Sequence, residues 1–340
     1  MPRNLLIITQ KVDRDDQLLG FFIPWLRKFA DHFEKVTVLC LEQGSFNLPN
    51  LVQVISLGKY HGLLKFKQAW NFYSLTFGLR HNYDTVFVHM NPIGVVVGAW
   101  WWHLLGKRVF LWYTSKGVTL KLRVATWFAD GIFTASPESF RLKSSKVIVT
   151  GHGIDTDLFR PNPSKRLTGL HLLSVGRIAP VKNYEILIQA AHILRESGRD
   201  FLVTIIGEPA LAQDVEYEKK LKKMIDALGL TSNFKFMGKI NNENLVPYYQ
   251  SHSIFVHLSK TGSLDKVILE AMACGMTVVS CNDASKTFLP LTAVFLENDA
   301  DSLVVAIRNV MNGSVSPVLR QYVVDHHNLD KLIDTISSIL

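Results

Sequence analysis

The sequence predicts an α/β protein built from two doubly wound, mostly parallel sheets, and three observations carry that prediction. The chain has 340 residues, about twice an ordinary domain length. Short runs rich in Val, Ile, Leu and Phe alternate throughout with longer segments of helical spacing. The alternation breaks at Pro161, Asn162, Pro163 and Ser164, a cluster that suits neither period and marks a linker.

In the first half the expected strands are NLLIIT at 4–9, KVTVLCL at 35–41, VQVISL at 52–57, TVFVHM at 85–90, RVFLWYT at 108–114, GIFTAS at 131–136 and KVIVT at 146–150. Helices are expected over 18–33, after Pro92, and around Leu120 to Phe128. In the second half the strands are LHLLSVG at 170–176, FLVTIIG at 201–207, NFKFMG at 233–238, SIFVHL at 253–258, MTVVS at 276–280 and TAVFL at 292–296. Helices over 184–198 and 216–229 separate them. The predicted division is 1–163 and 164–316, followed by a helical segment at 317–340 that either caps the second domain or crosses back to the first. Sheets of this kind bind ligands at the carboxyl ends of their strands, so a substrate shared between two such edges is expected.

Composition narrows the classes. At 48% hydrophobic and 19% charged the chain suits a well-buried enzyme, with no room for a disordered tail. Cys40, Cys274 and Cys281 sit in or beside apolar runs and not at metal-ligand spacing, so buried free thiols in a reducing cytoplasm are expected. The N-terminus reads as a first strand and not as a signal peptide. The longest apolar run, IGVVVGAWWWHLL at 93–105, is shorter than the roughly 20 residues a bilayer demands, and a buried helix is expected there. A formal charge of +8 favours anionic partners, nucleotide phosphates or lipid head groups, while dispersed basic residues without a recognition motif argue against nucleic acid.

The strongest chemical signal is LHLLSVGRIAPVKNYEILIQAA at 170–191. A buried strand ends at Gly176, Arg177 follows, and Lys182 stands before a helix start, so glycine backbone, two cations and a helix N-terminus converge where a diphosphate would sit. The plainer alternative makes Arg177 and Lys182 solvated turn residues. Downstream, SIFVHLSKTGSLDKVILEAMACGMTVVS at 253–280 sets Gly262, Ser263, Leu264 and Lys266 at a helix start, where backbone N–H groups face phosphate or sugar oxygens. Glu270 follows, flanked by Val267, Ile268, Leu269, Ala271 and Met272, surroundings a carboxylate seldom occupies without a partner.

Gly-Arg, the following Lys, the LEAMACG helix at 269–275 and GHGIDTDLFRP at 151–161 together resemble the retaining glycosyltransferases of family 4, and the resemblance covers nearly the whole chain. It implies the GT-B fold, two Rossmann-like domains facing across a cleft, and transfer of a hexose from a UDP- or GDP-sugar to a glycan or lipid-linked acceptor. It further implies that Arg177 and Lys182 hold the donor diphosphate, that Glu270 binds ribose hydroxyls, that Gly238 and Ile240 border the base, and that Gly20 lies in the first loop near the phosphates. The nucleotide sugar is then a co-substrate, with no other cofactor and no metal, because cations and helix N-termini neutralise the leaving nucleotide.

Two positions depart from the family. Gly262 stands where relatives carry a second Glu, eight residues before Glu270; Asp265 either takes over the sugar contacts or caps the helix. Ser115, followed by Lys116, stands where many relatives place a histidine, and a serine keeps a hydrogen bond but no titrating group. His89, at the end of another strand, either contacts substrate or is structural. These departures leave a second reading open, a non-catalytic nucleotide-sugar-binding protein with a degenerate sugar site. KYHGLLKFKQAWNF at 59–72 mixes lysines with Trp and Phe, and reads either as an interfacial helix on an anionic membrane or as a domain helix with a basic face. The expected location is the cytoplasm, at the inner membrane face if the acceptor is lipid-linked.

Overall fold

A computed structural model of the chain describes residues 3–59, 65–259, 263–311 and 316–340. It divides into two units, Met1–Gly153 with His327–Leu340, and Ile154–His326.

The first unit holds seven strands: β1 (Asn4–Val12), β2 (Lys35–Gln43), β3 (Val52–Ser56), β4 (Thr85–His89), β5 (Arg108–Trp112), β6 (Gly131–Thr134) and β7 (Val147–Val149). They form one sheet in the order β3-β2-β1-β4-β5-β6-β7, every pair parallel. Parallel strands need crossovers, which α1 (Phe22–Phe29), α2 (Lys65–Gly78), α3 (Pro92–Leu104) and α4 (Leu120–Phe128) contribute. Strand periodicity sorts the residues: Leu5 and Ile7 face a core with Trp25, Leu26 and Phe29 of α1, while Leu6 and Ile8 face another with Phe72, Val95 and Leu122 from α2, α3 and α4. Both faces are therefore covered, which is why these strands read as apolar runs and not as alternations.

Cap residues set the helix starts. Asn91 accepts from Ile93 N at 3.3 Å with Pro92 in the first turn of α3, and Thr119 accepts from Leu122 N at 3.2 Å to open α4. The 93–105 segment differs from expectation. It lies over the sheet with one face only, so Val95, Ala99 and Trp102 are buried while Ile93, Trp100 and Leu104 are exposed.

The second unit repeats the winding with β8 (Leu170–Val175), β9 (Phe201–Ile206), β10 (Phe234–Phe236), β11 (Ile254–His257) and β12 (Thr277–Ser280), in the order β10-β9-β8-β11-β12. Its helices are α5 (Tyr184–Glu196), α6 (Ala212–Ala227), α7 (Val246–Ser251), α8 (Lys266–Ala273), α9 (Ala300–Met311) and α10 (Ser316–His326). The expected strand at 292–296 does not form. Pro290 opens a short 3-10 turn, Leu291–Ala293, and only Val294 makes an isolated bridge, to Ser280.

The units divide after Gly153, ten residues before the expected boundary after Pro163, because Ile154 and Phe159 bury in the second unit's core beside Tyr249 and Leu269. The last helix, α11 (Leu329–Ile339), belongs to the first unit: Leu329, Leu332, Ile333 and Ile336 join Trp25 and Phe29 in one core. Lys28 pairs with Asp330 at 2.6 Å, Thr85 Oγ1 donates to the Leu340 carbonyl at 2.9 Å, and His152 N donates to His327 Nδ1 at 3.2 Å. Ile333 is fully buried there, so Ile333→Ala should cost about 2–5 kcal/mol, read from urea denaturation. A loss below about 1 kcal/mol would mean that α11 is dispensable to that core.

Candidate functional site

The carboxyl edge of the second sheet is built on three glycines in positive-φ conformations, Gly176, Gly207 and Gly238, which follow β8, β9 and β10. Gly176 N donates to the Ile206 carbonyl at 2.9 Å and Gly207 N to the Gly238 carbonyl at 2.8 Å. A Cβ on Gly207 would lie 1.9 Å from the Gly176 oxygen, so the two backbones approach as only glycine permits. Around Gly238 a Cβ would meet nothing within 4 Å, and Ile240 beyond it is half-buried against the core.

Past Gly176, Arg177 is half-buried and makes no hydrogen bond or ion pair with another described residue. The chain then forms a 3-10 turn, Pro180–Lys182, and Asn183 adopts the left-handed conformation (φ 50°) before α5. The Lys182 chain lies over Gly176, its Cε 3.2 Å from where a Cβ would stand. Tyr184 fixes the turn from beneath, its hydroxyl donating to the Gly176 carbonyl at 3.2 Å.

Lys182 Nζ donates to Asp265 Oδ2 at 2.8 Å, and His257 Nε2, at the end of β11, lies 2.8 Å from the same oxygen. Asp265 stands at the start of α8 but makes no capping hydrogen bond; its side chain turns to Lys182 and His257 instead. Burial alone would raise its pKa, but the His257 hydrogen bond and the Lys182 charge outweigh this and hold it well below the usual carboxylate range. His257 is pushed the other way, since burial lowers its pKa against the opposing pull of Asp265. Its Nδ1 is buried with no hydrogen-bond partner among the described residues, which suits a neutral ring protonated at Nε2. Around the loop, Asn282 Nδ2 donates to the carbonyls of Ser259 (3.3 Å) and Ser263 (3.0 Å), while Leu264 is buried. The predicted position Gly262 lies outside the described residues.

Glu270 is 2% exposed, as its apolar neighbours demanded. Its carboxylate has the partners that such burial requires: Asn242 Nδ2 donates to Oε1 at 2.9 Å and the Tyr249 hydroxyl to Oε2 at 3.1 Å. Burial raises its pKa, opposed by the charge of Lys266 one turn earlier and by these two donors. Lys266 is lowered to about 8, by burial first, with Glu270 opposing. Tyr249 is pushed well above its ordinary value by burial and the adjacent carboxylate, so it stays a donor. The far end of α8 is anchored by Arg320, which donates to the carbonyls of Ala273 and Phe159, and by Arg166, which donates to that of Gly275 at 3.1 Å.

Gly20, His89 and Ser115 share the carboxyl edge of the first sheet, after β1, β4 and β5. A Cβ on Gly20 would stand 2.7 Å from the Asp16 carbonyl and 2.8 Å from that of Arg14, so the loop closes only with glycine. Asp16 organises that loop, accepting from Lys11 Nζ and from the N–H groups of Leu18 and Leu19, each at 2.9 Å. His89 is fully buried, stacked on Phe22 with ring centroids 3.8 Å apart and on Trp112 at 5.4 Å, with Nδ1 3.2 Å from Thr9 Oγ1. This is the structural alternative for His89, since a ring enclosed on both faces is not open to substrate. Ser115 is half-buried, its backbone N–H donating to the Ser139 carbonyl at 2.9 Å and its hydroxyl accepting from Gly117 N at 3.3 Å.

Four residues of the site were not singled out from the sequence. Gly207 ends its strand as Gly176 does, and the repeated strand-glycine signal was there to be read. His257 ends the strand that leads into the 258–266 loop. Asn242 and Tyr249 carry no local signal, because they become partners of Glu270 only when α7 and the turn before it pack against α8.

Residues 155–321 match the family described as glycosyl transferases group 1. An uncharacterized glycosyltransferase of Haemophilus influenzae is 30% identical over 178 residues, 52% of this chain and 45% of that protein. A D-inositol 3-phosphate glycosyltransferase of Arthrobacter sp. is 34% identical over 131 residues, 37% of this chain and 30% of that protein. The matches thus span less than half the length of these relatives. The crystal structure of HepE from Anabaena in complex with UDP superposes with a TM-score of 0.80 over 99% of both chains at 17% identity, a likeness that shows the fold, GT-B.

Two outcomes test this geometry. Gly207→Ala should destabilise the second unit by about 3 kcal/mol or more, read from chemical denaturation, because no rotation relieves a contact with a backbone oxygen. Glu270 keeps its proton in the folded state at pH values where the unfolded chain has lost it. Its contribution to stability therefore falls as pH rises from the usual carboxylate range through the raised value. Glu270→Gln should flatten that dependence of Tm on pH; an unchanged slope would assign it to another group.

Proposed function

We propose that this chain, whose residues 155–321 match the glycosyl transferases group 1 family, is a glycosyltransferase that transfers a hexose from a UDP- or GDP-sugar to a glycan or lipid-linked acceptor, retaining configuration and without a metal. The observation that carries the donor site is Arg177: a half-buried guanidinium without an anionic partner among the described residues, one position past the glycine over which Lys182 lies. A half-buried guanidinium at the carboxyl edge of the sheet, beside the turn into α5, is suited to receive a diphosphate. The nucleotide's ribose hydroxyls then reach Glu270, whose oxygens each accept one protein hydrogen bond and retain a further lone pair.

In the reaction we infer, the bond from the donor's anomeric carbon to the β-phosphate oxygen breaks while the acceptor hydroxyl bonds to that carbon on the same face. The acceptor proton passes to the departing phosphate. Arg177 and Lys182 stabilise the charge that develops there, so neither a protein nucleophile nor an imidazole at Ser115 is needed. The nucleotide sugar is a co-substrate, and His89, enclosed between aromatic rings, takes no part in this scheme.

One observation favours the second reading, binding without transfer: Asp265 occupies Lys182 at 2.8 Å, so a carboxylate competes with the donor phosphate for its cation. The two readings part in their readouts. Arg177→Ala should weaken UDP or GDP binding about tenfold or more by calorimetry and abolish turnover of the matching nucleotide sugar, with the circular dichroism spectrum unchanged. Retained affinity would remove the diphosphate from this edge. Asp265→Asn should tighten nucleotide binding by releasing Lys182. A wild-type chain that binds a nucleotide sugar yet neither hydrolyses nor transfers it, across an acceptor panel, would establish the binding protein instead of the enzyme.

A further inference from the structure

The first unit covers its two sheet faces differently. On one side α1 and α11 bury their apolar residues in a common core. On the other, α2, α3 and α4 pack on the sheet with large apolar side chains left turned outward. Phe66, Trp70 and Phe77 are exposed along one stripe of α2, which half-buried Tyr73 joins with its hydroxyl donating to the Val97 carbonyl at 2.8 Å, beside the face that buries Phe72 and Thr76. The stripe continues onto α3, where Tyr73 meets Trp100 with ring centroids 6.1 Å apart and Phe77 meets Trp101 at 5.8 Å. Trp70, Leu104, Leu120 and Trp127 are 73%, 74%, 77% and 76% exposed, one on α2, one on α3 and two on α4. Isolated exposed apolar residues are ordinary, but three Trp or Leu-bearing helices side by side on one face form a patch that calls for an occupant.

Charge identifies that occupant. From Lys59 to Ala129 the sequence holds nine lysines and arginines against one acid, Asp84, a balance equal to the whole chain's +8. The helices α2, α3 and α4 contain no acidic residue. Lys67, Lys121 and Arg123 are exposed, and Arg80 lies 4.1 Å over the Phe77 ring. The two nearby acids are engaged: Asp84 accepts from Asn4 N at 2.9 Å, and Asp130 contacts His103 at 3.2 Å and Val109 N at 2.7 Å. Tryptophan and phenylalanine prefer the headgroup level of a bilayer, and lysine and arginine are drawn to anionic lipid there. No helix among the described residues is long and apolar enough to cross a membrane, so contact is with the surface.

We propose that the outward face of α2, α3 and α4 docks on an anionic lipid bilayer, with Trp70, Trp100, Leu104 and Trp127 entering the headgroup region and Lys67, Lys121 and Arg123 meeting lipid phosphates. The proposal is independent of Arg177, Lys182 and Glu270, which lie in the other unit, so the docking variants should keep wild-type nucleotide affinity, with Tm reporting their folding.

The test is co-sedimentation of the full chain with vesicles of phosphatidylcholine alone or mixed with phosphatidylglycerol, at low and high salt. Binding is expected to the mixed vesicles, weakened by salt. Trp70→Ala with Trp127→Ala, and separately Lys121→Glu with Arg123→Glu, should each lower partitioning about tenfold or more, with Tm unchanged. Absent binding, equal binding to neutral vesicles, or wild-type partitioning by both variants would overturn the proposal. So would self-association in sedimentation velocity that the Trp variant abolishes, which would assign the face to a second copy of the chain.

Discussion

The site rests on a close approach between two backbones. Parallel strands deliver their carboxyl ends to one edge, where each chain must turn away into a helix, and at β8 and β9 those turns collide unless the residue after β9, Gly207, carries no side chain. The Gly207 α-carbon sits against the Gly176 carbonyl with no space for a methyl group. That contact sets where Arg177 leaves the sheet and where the Lys182 turn folds back over Gly176. The N–H groups of Gly176 and Gly207 are spent on neighbouring carbonyls, so the edge is rigid before any ligand arrives.

On that frame the second unit treats two of its carboxylates, half-buried Asp265 and buried Glu270, oppositely. Asp265 sits between an ammonium and an imidazole and is stabilised as an anion; Glu270 is enclosed by apolar helix neighbours with two neutral donors and Lys266 at a distance, and its proton is held more tightly. The difference comes from the partners, since both residues are withdrawn from water and both would otherwise be raised. Of the two cations at this edge, Lys182 is engaged by Asp265, while Arg177 makes no ion pair with another described residue.

The first unit shows how one sheet can serve two ends. The α1 side is sealed by a helix from the far end of the chain, with a Lys28–Asp330 ion pair and a His32–Asp334 contact at the rim. The opposite side keeps a basic and aromatic exterior in which acids are almost absent. Its loops carry glycine for tight closure at Gly20, while His89, at its carboxyl edge, is locked between aromatic rings. Packing on this side thus serves the sheet and leaves the outer helix surfaces for something other than protein core.

The sequence by itself determined the alternation of strands and helices, the strand-glycine ends, the cations after Gly176 and the buried setting of Glu270. Each is legible because it is a local pattern: apolar periodicity, a glycine at a strand end, or a charge inside an apolar run. It did not determine that 292–296 would be a turn with a single bridge, because Pro290 and the sheet's pairing decide that together. Nor could it show that the division falls at Gly153, since Ile154 and Phe159 reveal their side only by packing. Tertiary structure alone decided that Asp265 turns to Lys182 and His257 and makes no cap, that Asn242 and Tyr249 satisfy Glu270, and that the last helix returns to the first unit. Those partners are 8 to 83 residues apart for the acids and more than 250 for Thr85 and Leu340. Even where a short segment holds both partners, as with His257 and Asp265, no local pattern says that the side chains meet, and only the fold brings them within hydrogen-bond distance.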